Sequence, residues 1–130
     1  MIGGRLIIAG RQQSMNKPGI RTAIPKRRYK YGEFTVVVLG NIESSDGIDY
    51  RYIMAVVKGA DPAPGLYLTA EKAGKTGPQT DYTMRMFMQD GAAVIATSPA
   101  WGELDAFVQE GLEIVSEMLE LSDEVPYQLL

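Results

Sequence analysis

The sequence predicts an α+β fold in which an antiparallel meander of five to six strands, flat or strongly curled, packs against one long C-terminal helix. Apolar residues recur with a period near two through residues 33–97, and the period changes to about 3.6 residues after Ser98. Short turn signals separate the strands, which favours sequential hairpins. The 130 residues match the size of one domain, so we predict that residues 1–130 form a single domain.

Residues 1–30 are predicted to form a basic N-terminal strand and loop. Arg5–Arg11 is an apolar run between two arginines and predicts a short first strand. Gln12–Lys30 contains Pro18-Gly19 and Pro25, which are turn or breaker signals. This second segment is therefore predicted to be a loop.

Residues 33–97 are predicted to supply the antiparallel strands. Asp46-Gly47 and Asp90-Gly91 are dipeptides typical of hairpin turns, because glycine adopts positive φ without strain. The first strand of this region has apolar side chains on both faces, which predicts a strand covered on both sides. Lys72–Thr80 is polar and glycine-rich, so we expect a loop there. The predicted strands are Glu33–Glu43, Ile48–Lys58, Leu66–Glu71, Asp81–Gln89 and Ala92–Thr97.

Residues 98–121 are predicted to form an amphipathic acidic helix about 35 Å long. Ser98 suits the N-cap, Pro99 suits the first helical position, and Trp101 is expected to be a packing anchor. Residues 122–130 are an acidic tail that we expect to fold back on the domain. The helix is expected to cover Met84, Met86 and Met88 with an apolar stripe of Leu104, Phe107, Val108, Leu112, Val115, Met118 and Leu119.

Charge is sorted along the chain. Residues 1–30 carry +8, residues 31–85 carry −2 and residues 86–130 carry −9, which together give the formal net charge of −3. Glu117 and Glu120 lie near the end of the predicted helix, where the helix dipole disfavours acids, so we expect a basic group nearby. The basic segment of the same chain, a second copy or another protein could supply that group.

The densest basic patch interleaves cations with tyrosines, a composition that suits single-stranded nucleic acid. Cations neutralise phosphates, and tyrosine rings stack on bases. We therefore predict a non-catalytic binding module whose basic N-terminal segment docks a polyanionic partner, with single-stranded nucleic acid or an acidic protein surface as candidates. The predicted polyanion-binding residues are Lys26, Arg27, Arg28, Tyr29, Lys30 and Tyr31.

Two other functions remain open. The first is a protein-interaction or self-assembly module, in which the basic segment and the acidic helix pair between subunits of a homo-oligomer. The second is a small apolar ligand binder with a cavity between the sheet and the helix, lined by adaptable methionines.

The composition argues against several classes of function. The chain has no histidine and no cysteine, which removes the commonest general base, thiol chemistry and the commonest zinc ligands. Gly74-Lys75-Thr76 lacks the earlier glycine of a phosphate-binding loop. We therefore predict no enzymatic activity, no metal and no cofactor. No apolar run reaches the length of a membrane span or of a signal sequence, so a cytoplasmic location without membrane contact is expected.

Overall fold

Seven strands form one open antiparallel sheet in the computed structural model, which describes residues 17–72 and 81–130. The strands are β1 Ile20–Tyr31, β2 Phe34–Ser44, β3 Tyr50–Lys58, β4 Leu66–Lys72, β5 Tyr82–Met88, β6 Gly91–Ser98 and β7 Tyr127–Gln128. Their spatial order is β6-β5-β4-β3-β2-β1-β7, so the predicted meander is confirmed from β1 to β6. A 3₁₀ helix, Pro99–Gly102, and the α-helix α1, Leu104–Met118, follow β6.

The prediction of a loop over Gln12–Lys30 is wrong for most of its length, because β1 begins at Ile20. Tyr29 and Tyr31 pair with Val36 and Phe34 across the β1–β2 hairpin, and this burial outweighs the breaker signal of Pro25. The proline is tolerated because β1 is an edge strand at that level and carries a bulge between residues 25 and 27. The predicted strand Arg5–Arg11 lies outside the described residues.

The predicted helix over 98–121 is divided into two parts. Ser98 is an N-cap as expected, and its Oγ accepts a hydrogen bond of 3.1 Å from the Ala100 N–H, but it caps the 3₁₀ helix. Glu103 has extended backbone angles, so α1 begins only at Leu104. The 15 residues of α1 give a length of about 22 Å instead of 35 Å. Trp101 is buried, as expected of a packing anchor.

Helix α1 ends earlier than the sequence predicts because a left-handed cap stops it. Glu120 has φ of +56°, and the Leu121 N–H donates to the Ser116 carbonyl at 2.8 Å, which is the long hydrogen bond of a Schellman motif. Leu121 is buried next to Gly32 in the β1–β2 turn, where a Cβ on Gly32 would lie 3.1 Å from its side chain. The cap thus directs the chain from the helix back towards β1.

The core lies between α1 and the sheet face that bears Val36, Met54 and Leu68, which we call the helix side. Phe107 is fully buried and its ring stacks on Tyr52, with centroids 5.6 Å apart. Gly111 permits the close approach of helix and sheet, because a Cβ there would lie 2.6 Å from Met54 Cε. As expected, the three strand β5 methionines belong to this core or pack against it: Met84, Met86 and Met88.

The opposite face, which we call the far side, is also buried at its centre. Ile53 and Thr69 have no exposed surface, and Phe87 is nearly as inaccessible. Strand β3 is the central strand, with Ile53 on the far side and Met54 on the helix side. In β3 both faces are buried from Tyr52 to Val56, whereas the far-side residues Val37 and Leu39 of β2 are half-buried.

We expect Gly111→Leu to destabilise the fold by about 1–3 kcal/mol, because the new side chain overpacks the contact with Met54. Leucine is a better helix former than glycine by about 0.8 kcal/mol, so helix propensity alone predicts that the substitution stabilises the fold. Urea denaturation measures the change. Gln109→Leu, at an exposed position of the same helix, is the control and should change stability by less than about 0.5 kcal/mol. A Gly111→Leu variant as stable as the wild type would show that the helix does not pack closely here.

Candidate functional site

Strand alternation divides the predicted polyanion-binding segment between the two faces of β1. Tyr29 and Tyr31 pair with helix-side residues of β2 and are 8% and 5% exposed as members of the core. Successive side chains of a strand point to opposite faces, so Arg28 and Lys30 lie on the far side. The expectation that Tyr29 and Tyr31 stack on bases is therefore wrong for this fold, because their rings are buried against the core.

Lys26 and Arg27 lie on the helix side, at the bulge of β1. A Cβ at Gly40 would lie 3.0 Å from Lys26 Cε and 3.5 Å from the Tyr52 ring, which places the lysine stem over β2. Arg27 Nη2 lies 3.4 Å from Asp105 Oδ1 of α1. Burial raises the pKa of Tyr29; the Arg27 charge opposes that rise and the Asp105 charge adds to it. These two cations therefore belong to the contact between β1 and the helix.

Arg28 and Lys30 are exposed on the far side and alternate with the buried tyrosines. They pair with Val37 and Thr35 of β2, which carry no charge. Among the described residues, neither cation has a carboxylate within salt-bridge distance. Two neighbouring positive charges on the far side of β1 are thus available to an anion.

Strand β7 adds an aromatic side chain to this pair of cations. Tyr127 pairs directly with Lys30, and directly opposed residues share a face, so its ring lies on the far side. It is 69% exposed. The Leu129 N–H donates to the Arg28 carbonyl at 2.7 Å and extends the contact along β1. We call Arg28, Lys30 and Tyr127 the cationic edge.

Tyr127 was missed by sequence reasoning, although the segment that carries it was expected to fold back. Nothing in Tyr127–Gln128 marks a strand, because two residues are too few to show a period. The pairing depends on the cap at Glu120, which sends the chain back beside β1. The proximity of Tyr127 to the two cations therefore depends on the tertiary structure and not on the local sequence.

The N-terminal end of β1 is held by the turn between β2 and β3. Asp46 Oδ2 accepts hydrogen bonds from the Gly19 N–H at 2.8 Å and from the Tyr50 hydroxyl at 2.6 Å, and its Oδ1 accepts from the Ile48 N–H. Burial alone would raise the pKa of Asp46, but these hydrogen bonds outweigh burial and lower it. Burial and the Asp46 carboxylate raise the pKa of Tyr50.

The basic and acidic parts of the chain meet at one described ion pair. Arg27 bridges to Asp105, whose side chain is 92% exposed. The acids further along α1 make no salt bridge with a described residue. The expectation of a basic group beside Glu117 and Glu120 therefore finds no support among the described residues.

A second charged group lies on the far side of β4 and β5. Glu71 Oε2 accepts hydrogen bonds from Arg85 Nε at 2.7 Å and from the Thr69 hydroxyl at 2.8 Å. The Arg85 guanidinium also covers the Phe87 ring, 4.7 Å from its centroid. A largely buried carboxylate with a cation and a hydroxyl on the same oxygen is a satisfied structural pair.

Two surface depressions lie away from the cationic edge. One, of about 470 Å³, runs between α1 and the C-terminal segment and has Glu113 and Glu117 in its wall. The other, of about 350 Å³, adjoins the β3–β4 turn. Within residues 17–72 and 81–130, no three acidic side chains cluster as metal ligands, and neither helix could cross a membrane.

Comparisons of the chain with protein-family models, with curated proteins and with solved structures find no match. A functional proposal therefore rests on the geometry of the chain itself.

We expect Asp46→Ala to destabilise the protein by about 1–2 kcal/mol at pH 7, because it removes the acceptor of three hydrogen bonds. The pKa of Asp46 is lowered by folding, so its stabilisation is complete above about pH 4 and is lost as the pH falls through the folded-state value. The difference in the free energy of unfolding between the variant and the wild type, measured by urea denaturation, should therefore become smaller below pH 4.

Asp61→Ala is the matched control, since no described residue donates a hydrogen bond to the Asp61 side chain. It should change stability by less than about 0.5 kcal/mol. If the difference in the free energy of unfolding between Asp46→Ala and the wild type stayed constant down to pH 3, the stabilising role of the Asp46 carboxylate would be contradicted.

Proposed function

We propose that this chain is a non-catalytic binding module that holds a polyanion, specifically a single strand of nucleic acid, on the cationic edge. One observation carries the proposal: β7 brings the exposed Tyr127 directly opposite Lys30 and beside Arg28 on one face of the sheet. Two cations and one exposed ring are the combination that phosphates and bases require. The cytoplasmic location and the absence of a cofactor remain part of this proposal.

Each member of the cationic edge has a separate task. The Arg28 guanidinium presents paired N–H donors that match the oxygens of one phosphate, and the Lys30 ammonium acts as a point charge for the next. The Tyr127 ring offers its free face to one base without reading its identity. Binding should therefore depend on strand length and salt much more than on sequence.

The remaining predicted cations contribute differently from what the sequence suggests. Arg27 already contacts Asp105, and the Lys26 stem packs over Gly40 on the helix side. We therefore assign two phosphate contacts to the module instead of four. The acids of α1 and of residues 122–130 oppose non-specific attraction, because the chain as a whole is negative.

A self-assembly function is the second candidate, and the Arg27–Asp105 pair favours it. The contact lies at the surface, with the aspartate side chain 92% exposed, so the same pairing could form between two copies. Such exposed pairs are each worth at most about 1 kcal/mol and are screened by salt. This candidate predicts self-association that is lost above about 0.5 M salt. The loss should be the same in the wild type and in the Arg28→Gln/Lys30→Gln variant, because the cationic edge does not take part in the pairing.

We expect Arg28→Gln/Lys30→Gln to weaken binding of a single-stranded oligonucleotide by about tenfold at 50 mM salt. The logarithmic salt slope should fall by about 1.4, since each lost phosphate contact accounts for about 0.7 on single strands. Fluorescence anisotropy over a salt series measures both quantities.

Lys58→Gln/Lys72→Gln is the matched control, because it removes the same charge from exposed positions at the ends of β3 and β4. It should leave the salt slope unchanged. Equal losses in the two double variants would mean that net charge, and not the cationic edge, governs binding. No binding by the wild type at 50 mM salt would refute the proposed function.

We expect Tyr127→Ala to weaken oligonucleotide binding by about 5- to 150-fold while the salt slope stays the same, because stacking contributes about 1–3 kcal/mol per base without releasing counterions. Tyr127→Phe keeps the stacking face and should bind like the wild type. Val125→Ala, at an 82% exposed position of the same segment, is the control. A phenylalanine variant as weak as the alanine variant would assign the hydroxyl, and not the ring, to binding.

A further inference from the structure

Strand β6 is an exposed, uncharged edge of the sheet. It pairs with β5 along one side and with no described strand along the other. Six of its eight residues, from Ala92 to Thr97, are exposed, and Val94 is 63% accessible. Its sequence, GAAVIATS, contains no charged residue and no proline. A row of free backbone N–H and C=O groups flanked by apolar side chains is a template for another strand.

The two edges of the sheet differ in how they are protected. The outer edge of β1 carries Pro25 and the exposed cations Arg21, Arg28 and Lys30, and β7 covers it at Tyr29 and Lys30. Charge, proline and a covering strand are the devices that prevent edge-to-edge pairing. Strand β6 has no charge, no proline and no covering strand among the described residues, and it carries a bulge opposite Met84 and Arg85. Within residues 17–72 and 81–130, one edge of the sheet is therefore protected and the other is left available.

We propose that β6 is a homodimer interface, where it pairs antiparallel with β6 of a second copy. The β1 edge is blocked, so an exposed β6 in one copy finds its best complement in β6 of another, and such a pairing closes on itself about a two-fold axis. Antiparallel pairing centred on the regular stretch Gly91–Val94 sets Asp90 of one copy beside the uncharged residues that follow Val94 in the other, so no like charges meet.

The bulge is compatible with this pairing. It breaks the regular β5–β6 register at Ile95 and leaves Gly91–Val94 as a regular stretch with consecutive partners in β5. The Val94 side chain, which pairs with Arg85 on the far side, would be covered by the second copy. The two seven-stranded sheets would become continuous, and the two cationic edges would lie at opposite ends. This inference does not depend on nucleic-acid binding.

Sedimentation equilibrium of the full chain over about 1 µM to 1 mM tests the interface. We expect the apparent mass to rise from the monomer value of 14.3 kDa to twice that value, as in a closed dimer. Val94→Glu should shift this rise to at least tenfold higher concentration, because it brings two like charges to the paired edge while its own Arg85 tolerates the new acid. Val125→Glu, which adds the same charge at an 82% exposed position, should dimerise like the wild type.

Hydrogen exchange provides a readout that does not depend on variants. In the wild type, amides of Gly91–Ser98 should gain protection as concentration rises, whereas the Val94→Glu variant should show the low-concentration pattern throughout. A wild type that stays at 14.3 kDa up to 1 mM would overturn the proposal. Equal effects of Val94→Glu and Val125→Glu, mass growth beyond the dimer, or protection outside β6 would also overturn it.

Discussion

The packing of α1 against β3 and β4 is the interaction on which the rest of the structure depends. Phe107 and Val115 are fully buried on the helix side, and Gly111 lets the helix backbone approach Met54. Each large apolar side chain buried there contributes about 1.5–3 kcal/mol, and without the helix the whole helix side of the sheet would face water. Because α1 is fixed on the sheet, its cap at Glu120 returns the chain to β1 at a defined position. Helix packing thus determines where β7 pairs.

That return creates the cationic edge from two distant parts of the sequence. Lys30 and Tyr127 are almost a hundred positions apart, yet they pair directly across β1 and β7. Burial of Tyr29 and Tyr31 in the core also contributes, since it fixes which face of β1 presents Arg28 and Lys30. A slip of one residue in the register would bury the cations and expose the tyrosines. The hydrophobic core therefore orients the charges that we assign to binding.

In our proposals, the two edges of the sheet bind different kinds of partner. The β1 edge carries cations and a short covering strand, which suits anions and disfavours strand addition. The β6 edge carries alanine, valine and isoleucine, and no described strand pairs with its outer backbone groups, which suits another strand and disfavours anions. Because the sheet is open, these edges lie on opposite sides of the molecule, and one can be occupied without obstructing the other.

The sequence by itself determined the α+β class, the β2–β6 meander and the approximate position of the amphipathic helix α1, because these depend on local periodicity and on turn residues such as Asp46-Gly47. It also identified the basic segment 26–31, but it predicted a loop there and assigned the same binding role to all six residues. Only the tertiary structure decided that this segment is a strand, that Tyr29 and Tyr31 are buried, and that Tyr127 stands beside Lys30. Pairing with β2 outweighed Pro25, and a left-handed cap stopped the helix early. The first is pairing with another strand, and the second places Leu121 beside Gly32 of the β1–β2 turn, so both involve residues that local periodicity does not relate.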